Sequence, residues 1–219
     1  MGPTPGPDTP ETPLLIACAL GIEQLALRTG RGGTGDAPGR VTVLRTGMGP
    51  KAAEAAVARA LGDGRASGAA VIASGFCAGL APGMHPGDLV VADETRMAGE
   101  PVPCTGTDLL AEALARAVPG RTVHRGPLTG SGHVVRGHER AELRATGAIA
   151  VDMESAATLR TALRSGPRPV AAVRVVVDAP EHELVRISTV RGGISAFRVL
   201  RAVLPAFYEW HRSLLLPRR

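Results

Sequence analysis

Residues 148–163 read AIAVDMESAATLRTAL, an apolar run that passes directly into a stretch of small residues with helical character. This order predicts a buried strand followed by a helix, the repeating unit of an α/β fold. Two carboxylates, Asp152 and Glu154, stand where the two patterns meet. Acids at such a junction are often solvated, or they cap the first turn of the helix, whose free N–H groups favour negative charge. The stretch therefore predicts the local fold but leaves the role of its two acids open.

The same alternation extends over most of the 219 residues, which suit a single domain. It predicts strands that alternate with helices in a largely parallel sheet. The predicted strands are LLIACAL, RVTVLRTG, GAAVIASG, DLVVADE, GAIAVDM and RPVAAVRVVVD, and the predicted helices are GIEQLALRTG, PKAAEAAVARALG, TDLLAEALARAV and the segment after GAIAVDM. We expect the proline-rich residues 1–13 to form a disordered leader and residues 14–219 to form the domain.

Composition excludes several classes of protein. The leader lacks the basic and apolar regions of a signal peptide, and no uncharged apolar run approaches the roughly 20 residues of a membrane span. The three cysteines form no CxxC pair, which fits reduced thiols and a cytoplasmic location. The net charge of +5 suggests nucleic acid, but Lys51 is the only lysine and aromatic residues make up only 2% of the chain. With so few stacking platforms, we expect no nucleic-acid partner.

The C-terminal segment from Ile194 interleaves aromatic residues with arginines. Such a helical segment could dock on its own domain, join two subunits of a homodimer, or make a peripheral contact with an acidic membrane surface. Packing or dimerisation is the commoner outcome. The residues concerned are Phe197, Phe207, Tyr208 and Trp210 with Arg198, Arg201, Arg212, Arg218 and Arg219.

Apparent cofactor and metal motifs fail on their context. GRGGTG, residues 30–35, follows a helical segment and leads into no helix, so it does not predict a dinucleotide site. Lys51 follows a proline rather than the glycine of a phosphate-binding loop. His133 and His138 lack a third ligand at metal spacing, and neither Ser74 nor Ser131 lies in a nucleophile elbow. We therefore expect neither a metal nor an organic cofactor.

Three acids follow predicted strands. Glu23 comes shortly after LLIACAL, Glu154 just after GAIAV and Asp178 directly after VAAVRVVV, while the glycine-rich turns TGMG and SGFCAGL end two further strands. Ligands in α/β sheets bind beyond the carboxyl ends of the strands, and glycines let a ligand approach the backbone. Each acid alone could be a cap or a solvated residue, but together they predict one site.

TGMGPKAA, VIASGFCAGLAPGMHPGDLVVADE, GAIAVDMESAA and VRVVVDAPE resemble, in this order, segments of the purine nucleoside phosphorylase and methylthioadenosine/S-adenosylhomocysteine nucleosidase superfamily. The resemblance runs from Leu14 to about Glu183. It implies a three-layer α/β/α sandwich with a mixed central sheet. The shortened chain and the tail HELVRISTVRGGISAFRVLRAVLP most resemble the hopanoid-associated phosphorylase branch.

The resemblance also implies roles for the acids. Glu154 would accept hydrogen bonds from the ribose hydroxyls and Met153 would lie against the sugar, whereas Asp152 fits a helix cap better. Asp178 would be the general acid that protonates N7 of the departing purine, and it must be protonated to do so. Glu23 would take a proton from attacking water, and phosphate is the alternative nucleophile and co-substrate.

Three positions depart from the family pattern. Val177 replaces a small residue, often serine, beside Asp178, so the group that would orient this acid is missing or comes from elsewhere. Phe76, next to Gly75 in the turn, replaces a small polar residue, and Val134, next to Val135, replaces an aromatic that stacks on the base. We assign Gly75, Phe76, Val134 and Val135 to substrate binding.

The resemblance implies an enzyme that releases adenine from adenosylhopane in hopanoid biosynthesis. Its nearest rival is a salvage nucleosidase for 5′-methylthioadenosine, S-adenosylhomocysteine, 5′-deoxyadenosine or futalosine. A nucleoside-binding module without catalytic activity is the rival from a different class.

Overall fold

Strands and helices alternate along the chain in the computed structural model. The structure describes residues 12–30, 40–63, 66–98, 101–178 and 188–215, except for the side chains of residues 188–193 and 215. The strands are β1 (Leu14–Cys18), β2 (Val41–Arg45), β3 (Ala70–Gly79), β4 (Leu89–Arg96), β5 (Val102–Pro103), β6 (Val123–Gly130), β7 (Ala150–Asp152) and β8 (Val170–Asp178). The helices are α1 (Gly21–Arg28), α2 (Pro50–Gly62), α3 (Thr107–Ala117), α4 (His138–Ala145), α5 (Ser155–Arg164), α6 (Ser188–Ala202) and α7 (Leu204–Leu215).

The eight strands of the described residues belong to one mixed sheet in the order β2-β1-β3-β7-β6-β4-β5, and β8 pairs with both β3 and β4. Pairing is parallel between β1 and its two neighbours, between β3 and β8, and along β4, β6 and β7. It is antiparallel where β3 meets β7 and where β4 meets β5 and β8. The strands β3, β8, β4, β6 and β7 thus close on themselves.

Two hydrophobic clusters lie on opposite faces of the sheet and make three layers. Successive residues of a strand point to opposite faces, so Leu14 and Ile16 pack in one cluster, whereas Leu15 and Ala17 pack in the other. Side chains of α1, α3, α6 and α7 cover the first face, and α2 and α5 cover the second. The predicted α/β/α sandwich with a mixed sheet is confirmed.

The sequence predicted most elements but not the direction of every strand. Each quoted apolar run contains a strand, and the predicted helix PKAAEAAVARALG coincides with α2. The sequence did not predict β5, β6 or α4. Five of the strand pairings in the described residues are parallel, as the alternation of strands and helices predicts, and three antiparallel pairings make the sheet mixed. The predicted leader lies outside the described residues except for Thr12 and Pro13. The Pro13 carbonyl accepts a hydrogen bond from the Ala70 N–H at 2.9 Å.

The C-terminal helices pack on the domain, as the first of the three alternatives predicts. Phe207, Tyr208 and Trp210 are buried, and the Trp210 Nε1–H donates to the Thr105 carbonyl at 2.8 Å. These rings therefore belong to the core. Arg218 and Arg219 lie outside the described residues. Within the described residues, the helices are too short or too polar to cross a membrane.

Candidate active site

The carboxyl-terminal half of β3 organises the site. β7 runs antiparallel to it, with Val151 opposite Ala78, and β8 runs parallel to it, with Asp178 opposite the same Ala78. The ends of β7 and β8 therefore meet beside one residue although the two strands run in opposite directions. This crossing brings Asp152, Glu154 and Asp178 together.

A pocket of about 250 Å³ opens at this crossing. It includes every predicted site residue except Gly75, and residues of α1, the loop after β2, and the segment from β6 to α4 complete it. The lining residues are Ala19, Leu20, Glu23, Met48, Phe76, Cys77, Ala78, His133, Val134, Val135, Arg140, Val151, Asp152, Met153, Glu154, Val177 and Asp178.

Glu154 occupies the N-cap position of α5 without a capping hydrogen bond, whereas Asp152, two residues earlier and predicted as the cap, contacts the first residue of the helix. The Asp152 carboxylate accepts the backbone N–H of Ser155, the first residue of the helix, at 3.2 Å and the Ser155 hydroxyl at 2.5 Å. The same carboxylate lies 2.6 Å from Nε of Arg174, and both side chains are 1% exposed. Since all these partners are protein groups, Asp152 serves the structure around the pocket.

Arg174 is a buried cation beside the pocket, and the sequence analysis missed it. It lies in the middle of β8, donates from Nε to Ser155 Oγ at 2.9 Å and donates from Nη1 to the Ser74 carbonyl at 3.2 Å. Burial by itself lowers the pKa of Arg174, but the carboxylates of Asp152, Glu154 and Glu23 outweigh burial and raise this pKa above its usual value. The sequence feature that could have identified Arg174 is its position as the single charged residue within the apolar run VAAVRVVV.

Gly75 lets Glu23 and Arg174 approach β3. Its φ is +140°, and a Cβ there would lie 2.5 Å from Glu23 Oε1 and 2.6 Å from Arg174 Nη1. A larger residue would displace one of these two buried groups. Gly75 thus shapes the site without lining the pocket itself.

Glu23 is buried and held by backbone donors. Its Oε2 accepts the N–H groups of Ala19 and Leu20 at 2.9 and 2.8 Å, and its Oε1 accepts the Phe76 N–H at 2.7 Å. These bonds tie the start of α1 to β3. A carboxylate has about four acceptor positions, so one is left for a ligand such as water.

Glu154 presents one oxygen to the pocket. Its Oε1 accepts the Gly49 N–H at 2.8 Å, and its Oε2 accepts no hydrogen bond from the described residues. Gly49 has a φ of +87°, which favours glycine, and it stands directly before Pro50 at the start of α2. Burial raises the pKa of Glu154, although Arg174 and the Gly49 N–H act in the opposite direction. The TGMG turn thus holds one oxygen and leaves the other for a ligand.

Asp178 pairs with Arg140 of α4. Arg140 Nη2 donates to Asp178 Oδ2, and the two side chains are 8% and 14% exposed. Asp178 Oδ1 is buried and finds no hydrogen-bond partner among the described residues. Oδ1 is therefore the atom of this carboxylate that remains free for a ligand. The segment APEHE that follows Asp178 lies outside the described residues.

The remaining predicted residues form the apolar part of the pocket. Phe76 and Met153 are partly buried, Val135 is buried, and Val134 is 64% exposed. Met48, which the sequence analysis did not assign, is 65% exposed and also lines the pocket. Apolar side chains with large exposed surfaces mark the mouth, and the carboxylates lie deeper.

Known structures share this fold. A methylthioadenosine/S-adenosylhomocysteine nucleosidase from Neisseria meningitidis, in complex with methylthio-immucillin-A, has a TM-score of 0.75 and 22% identity, with 90% of this chain and 99% of that chain covered. An S-adenosylhomocysteine nucleosidase from Streptococcus pyogenes, in complex with 5-methylthiotubericidin, has a TM-score of 0.71 and 22% identity over 95% and 98% of the two chains. The futalosine hydrolase of Helicobacter pylori has a TM-score of 0.71 and 16% identity over 90% and 97%.

Sequence comparison shows the family. No curated protein sequence matches the chain. The model of the phosphorylase superfamily matches residues 10–205, which is most of the 219 residues. The chain therefore belongs to the phosphorylase superfamily, which confirms the resemblance at the level of the superfamily and the prediction of an enzyme that acts on an N-glycosidic bond as a hydrolase or transferase.

Proposed function

We propose that the protein cleaves the N-glycosidic bond of a purine nucleoside and that Glu154 and Asp178 hold the two ends of the substrate. One observation carries this proposal. The two carboxylates come from separate strand ends, line one pocket, and each keep one oxygen without a partner among the described residues. Glu154 Oε2 can accept hydrogen bonds from the ribose 2′- and 3′-hydroxyls. Asp178 Oδ1 can carry a proton to the base.

In the proposed reaction, a proton passes from Asp178 Oδ1 to N7 of the purine while the electron pair of the glycosidic bond moves onto the base. Positive charge then develops on the sugar, and the oxygen of a water molecule forms the new bond to C1′. Glu23 accepts the proton that this water loses, through its remaining acceptor position. A general acid of this kind accelerates a reaction by about 10² to 10⁴.

We propose water rather than phosphate as the nucleophile. Four carboxylates line the pocket, those of Glu23, Asp152, Glu154 and Asp178. The nearby cations are already engaged, because Arg174 bonds Asp152, Ser155 and Ser74, and Arg140 pairs with Asp178. A phosphate dianion would add negative charge beside these carboxylates, whereas water is neutral. No metal or organic cofactor forms part of this proposal, and phosphate stays the alternative co-substrate.

The proposed substrate is adenosylhopane, from which the enzyme would release adenine during hopanoid biosynthesis. The similarity of the C-terminal tail to the hopanoid-associated branch supports this choice. So does the mouth of the pocket, where Met48 and Val134 are 65% and 64% exposed and offer apolar contacts to a large 5′ substituent. The sugar and base would occupy the deeper, acidic part.

A small nucleoside is the second candidate. The solved structures of similar fold include nucleosidases for methylthioadenosine and S-adenosylhomocysteine and a futalosine hydrolase. The pocket of about 250 Å³ is small, which also favours a compact substrate. Substrates of this class are 5′-methylthioadenosine, S-adenosylhomocysteine, 5′-deoxyadenosine and futalosine.

The experiment is chromatography of the base released from a panel of these nucleosides and adenosylhopane, with and without phosphate. We expect adenine release without phosphate and the highest kcat/KM for the substrate with the large apolar group. Release that requires phosphate would contradict hydrolysis. Absence of release from every substrate, with nucleoside binding retained, would instead support the non-catalytic binding module.

Asp178→Asn tests the leaving-group role. The variant should lose about 10²-fold or more in kcat on adenine nucleosides, because asparagine donates a hydrogen bond but no proton. It should lose less than about tenfold on a nitrophenyl riboside, whose leaving group needs no proton. Equal losses on both substrates in a folded variant would contradict the role of Asp178 as general acid.

We also propose a cytoplasmic homodimer. Ile22 and Leu25 of α1 are 52% and 54% exposed, and a second copy of the chain would cover this apolar surface. Sedimentation equilibrium tests it, and a monomer would overturn it. A peripheral membrane contact would have to rest on exposed arginines such as Arg198 and Arg212, because Phe207, Tyr208 and Trp210 are buried and Phe197 is half-buried against the core. Protein that does not sediment with anionic vesicles would exclude this contact.

A further inference from the structure

Arg140 occupies an unusual position in its helix. It is the only buried residue of α4, and its side chain is 8% exposed. Burying a guanidinium is costly unless its N–H groups find partners. Nη2 donates to Asp178 Oδ2, and Nε makes a long hydrogen bond of 3.4 Å to the Val135 carbonyl. The helix thus directs a positive charge at Asp178.

Two buried polar atoms remain unpaired beside this contact. Arg140 Nη1 and Asp178 Oδ1 have no hydrogen-bond partner in the described part of the chain, and both residues line the pocket. Buried polar atoms are nearly always hydrogen-bonded in folded proteins. A ligand in the pocket would supply the partner that Asp178 Oδ1 lacks.

Val177 stands directly before Asp178, and its side chain has no polar group. The side chain before the acid therefore cannot orient the carboxylate. Within the described residues, Arg140 alone donates a hydrogen bond to Asp178. The orientation of this carboxylate thus depends on α4, an element distant in sequence from β8.

We propose that Arg140 is the positioning residue of the reaction: it fixes the Asp178 carboxylate and stabilises the anion that Asp178 becomes when its proton passes to N7. This inference rests on the proposed function. As the O–H bond at Oδ1 breaks and the N7–H bond forms, the electron pair stays on the carboxylate. The negative charge is shared with Oδ2, which already accepts a hydrogen bond from Arg140. For the step that starts from protonated Asp178, an interaction that strengthens as charge develops lowers the barrier.

The guanidinium suits this task because it carries a fixed charge and has no acceptor atom. It therefore cannot take the proton that is meant for the base. Arg140 acts through Asp178, so its removal should affect only substrates whose leaving group needs protonation.

The test compares Arg140→Met with Arg144→Met, which changes an exposed arginine of the same helix. For Arg140→Met we expect kcat on an adenine nucleoside to fall by about 10- to 100-fold. KM for this nucleoside and the turnover of a nitrophenyl riboside should each change less than about threefold. For Arg144→Met we expect no change on either substrate. Millimolar methylguanidinium should restore part of the lost kcat in Arg140→Ala.

A double variant tests whether Arg140 acts through Asp178. Arg140→Met in the Asp178→Asn background should cause no further loss of kcat, because the acid that Arg140 assists is absent. Losses that multiply would overturn the inference, as would equal losses on both substrates. If Arg140→Met does not fold, Arg140→Lys keeps the charge but not the planar pair of donors, and it should show a smaller loss confined to adenine nucleosides.

The outcomes separate this inference from the proposed function. If the unaltered protein releases no base from any nucleoside, the proposed function fails first. If the unaltered protein is active and Arg140→Met matches it on both substrates, only the role of Arg140 fails.

Discussion

Replacing Arg174 by methionine should be a strongly destabilising change, because this residue neutralises buried carboxylates. The Arg174 and Asp152 side chains are each 1% exposed, with Nε 2.6 Å from Oδ2. Methionine would also remove the hydrogen bonds to Ser155 Oγ at 2.9 Å and to the Ser74 carbonyl at 3.2 Å. Removing one partner of a buried ion pair costs about 3 to 5 kcal/mol. For a chain of this size that loss lowers Tm by roughly 6 to 20 °C.

Thermal unfolding followed by circular dichroism at neutral pH measures this effect. The matched control is Arg116→Met, which breaks an exposed pair with Glu209 in which the side chains are 59% and 45% exposed. An exposed pair contributes at most about 1 kcal/mol, so the control should lose little. Adding Asp152→Asn to Arg174→Met should recover about 1 kcal/mol or more, since it removes the unpaired buried charge. A Tm for Arg174→Met equal to that of the control would refute this reasoning.

Three further predictions concern carboxylates of the pocket and the cysteines of the chain. Glu154→Ala should lower kcat/KM by removing contacts to the sugar, whereas Asp152→Ala should mainly lower Tm; equal catalytic losses in equally folded variants would contradict this division. Because burial raises the pKa of Glu154, the protonated form is favoured in the folded protein, and its stabilisation is lost as pH rises through the folded pKa. The Tm of Glu154→Gln relative to the unaltered protein should therefore increase from acidic to neutral pH, and a constant difference would count against the burial effect. Burial raises the pKa of Cys18 and of Cys104 to about 12, so these thiols of the native protein should react slowly with a disulfide reagent at neutral pH. Denatured protein should expose all three thiols to the reagent. Rapid labelling of Cys18 or Cys104 in native protein would contradict this expectation.

Local sequence patterns determined most of the elements. The bounds of α2 could be predicted because Pro50 fits the first position of a helix and small residues fill the turns up to Gly62. The runs before Asp152 and Asp178 are apolar enough to predict buried strands. β6, in contrast, reads VHRGPLTG and contains glycine and proline, so neither alternation nor propensity marks it as a strand. Its pairing with β4 and β7 stabilises it instead.

The chemistry of individual residues could also be predicted. A carboxylate shortly or directly after an apolar run indicated Glu154 and Asp178, and the small residues after Asp152 indicated the helix whose first residue its carboxylate contacts. These inferences need only the order of residues along the chain. The match to the phosphorylase superfamily over residues 10–205 rests on the same order.

The tertiary structure decided which residues surround those acids. Arg174 meets Asp152 because β7 and β8 end beside the same residue of β3 while running in opposite directions, and Arg140 meets Asp178 because α4 buries this one side chain against the end of β8. Such contacts join segments 22 and 38 residues apart, and no local pattern encodes them. Propensity and periodicity act over a few neighbouring residues, whereas the partner of a buried charge is chosen by the packing of the whole sheet. The sequence by itself therefore determined the strands, helices and acids, and the fold alone determined which arginine neutralises each acid.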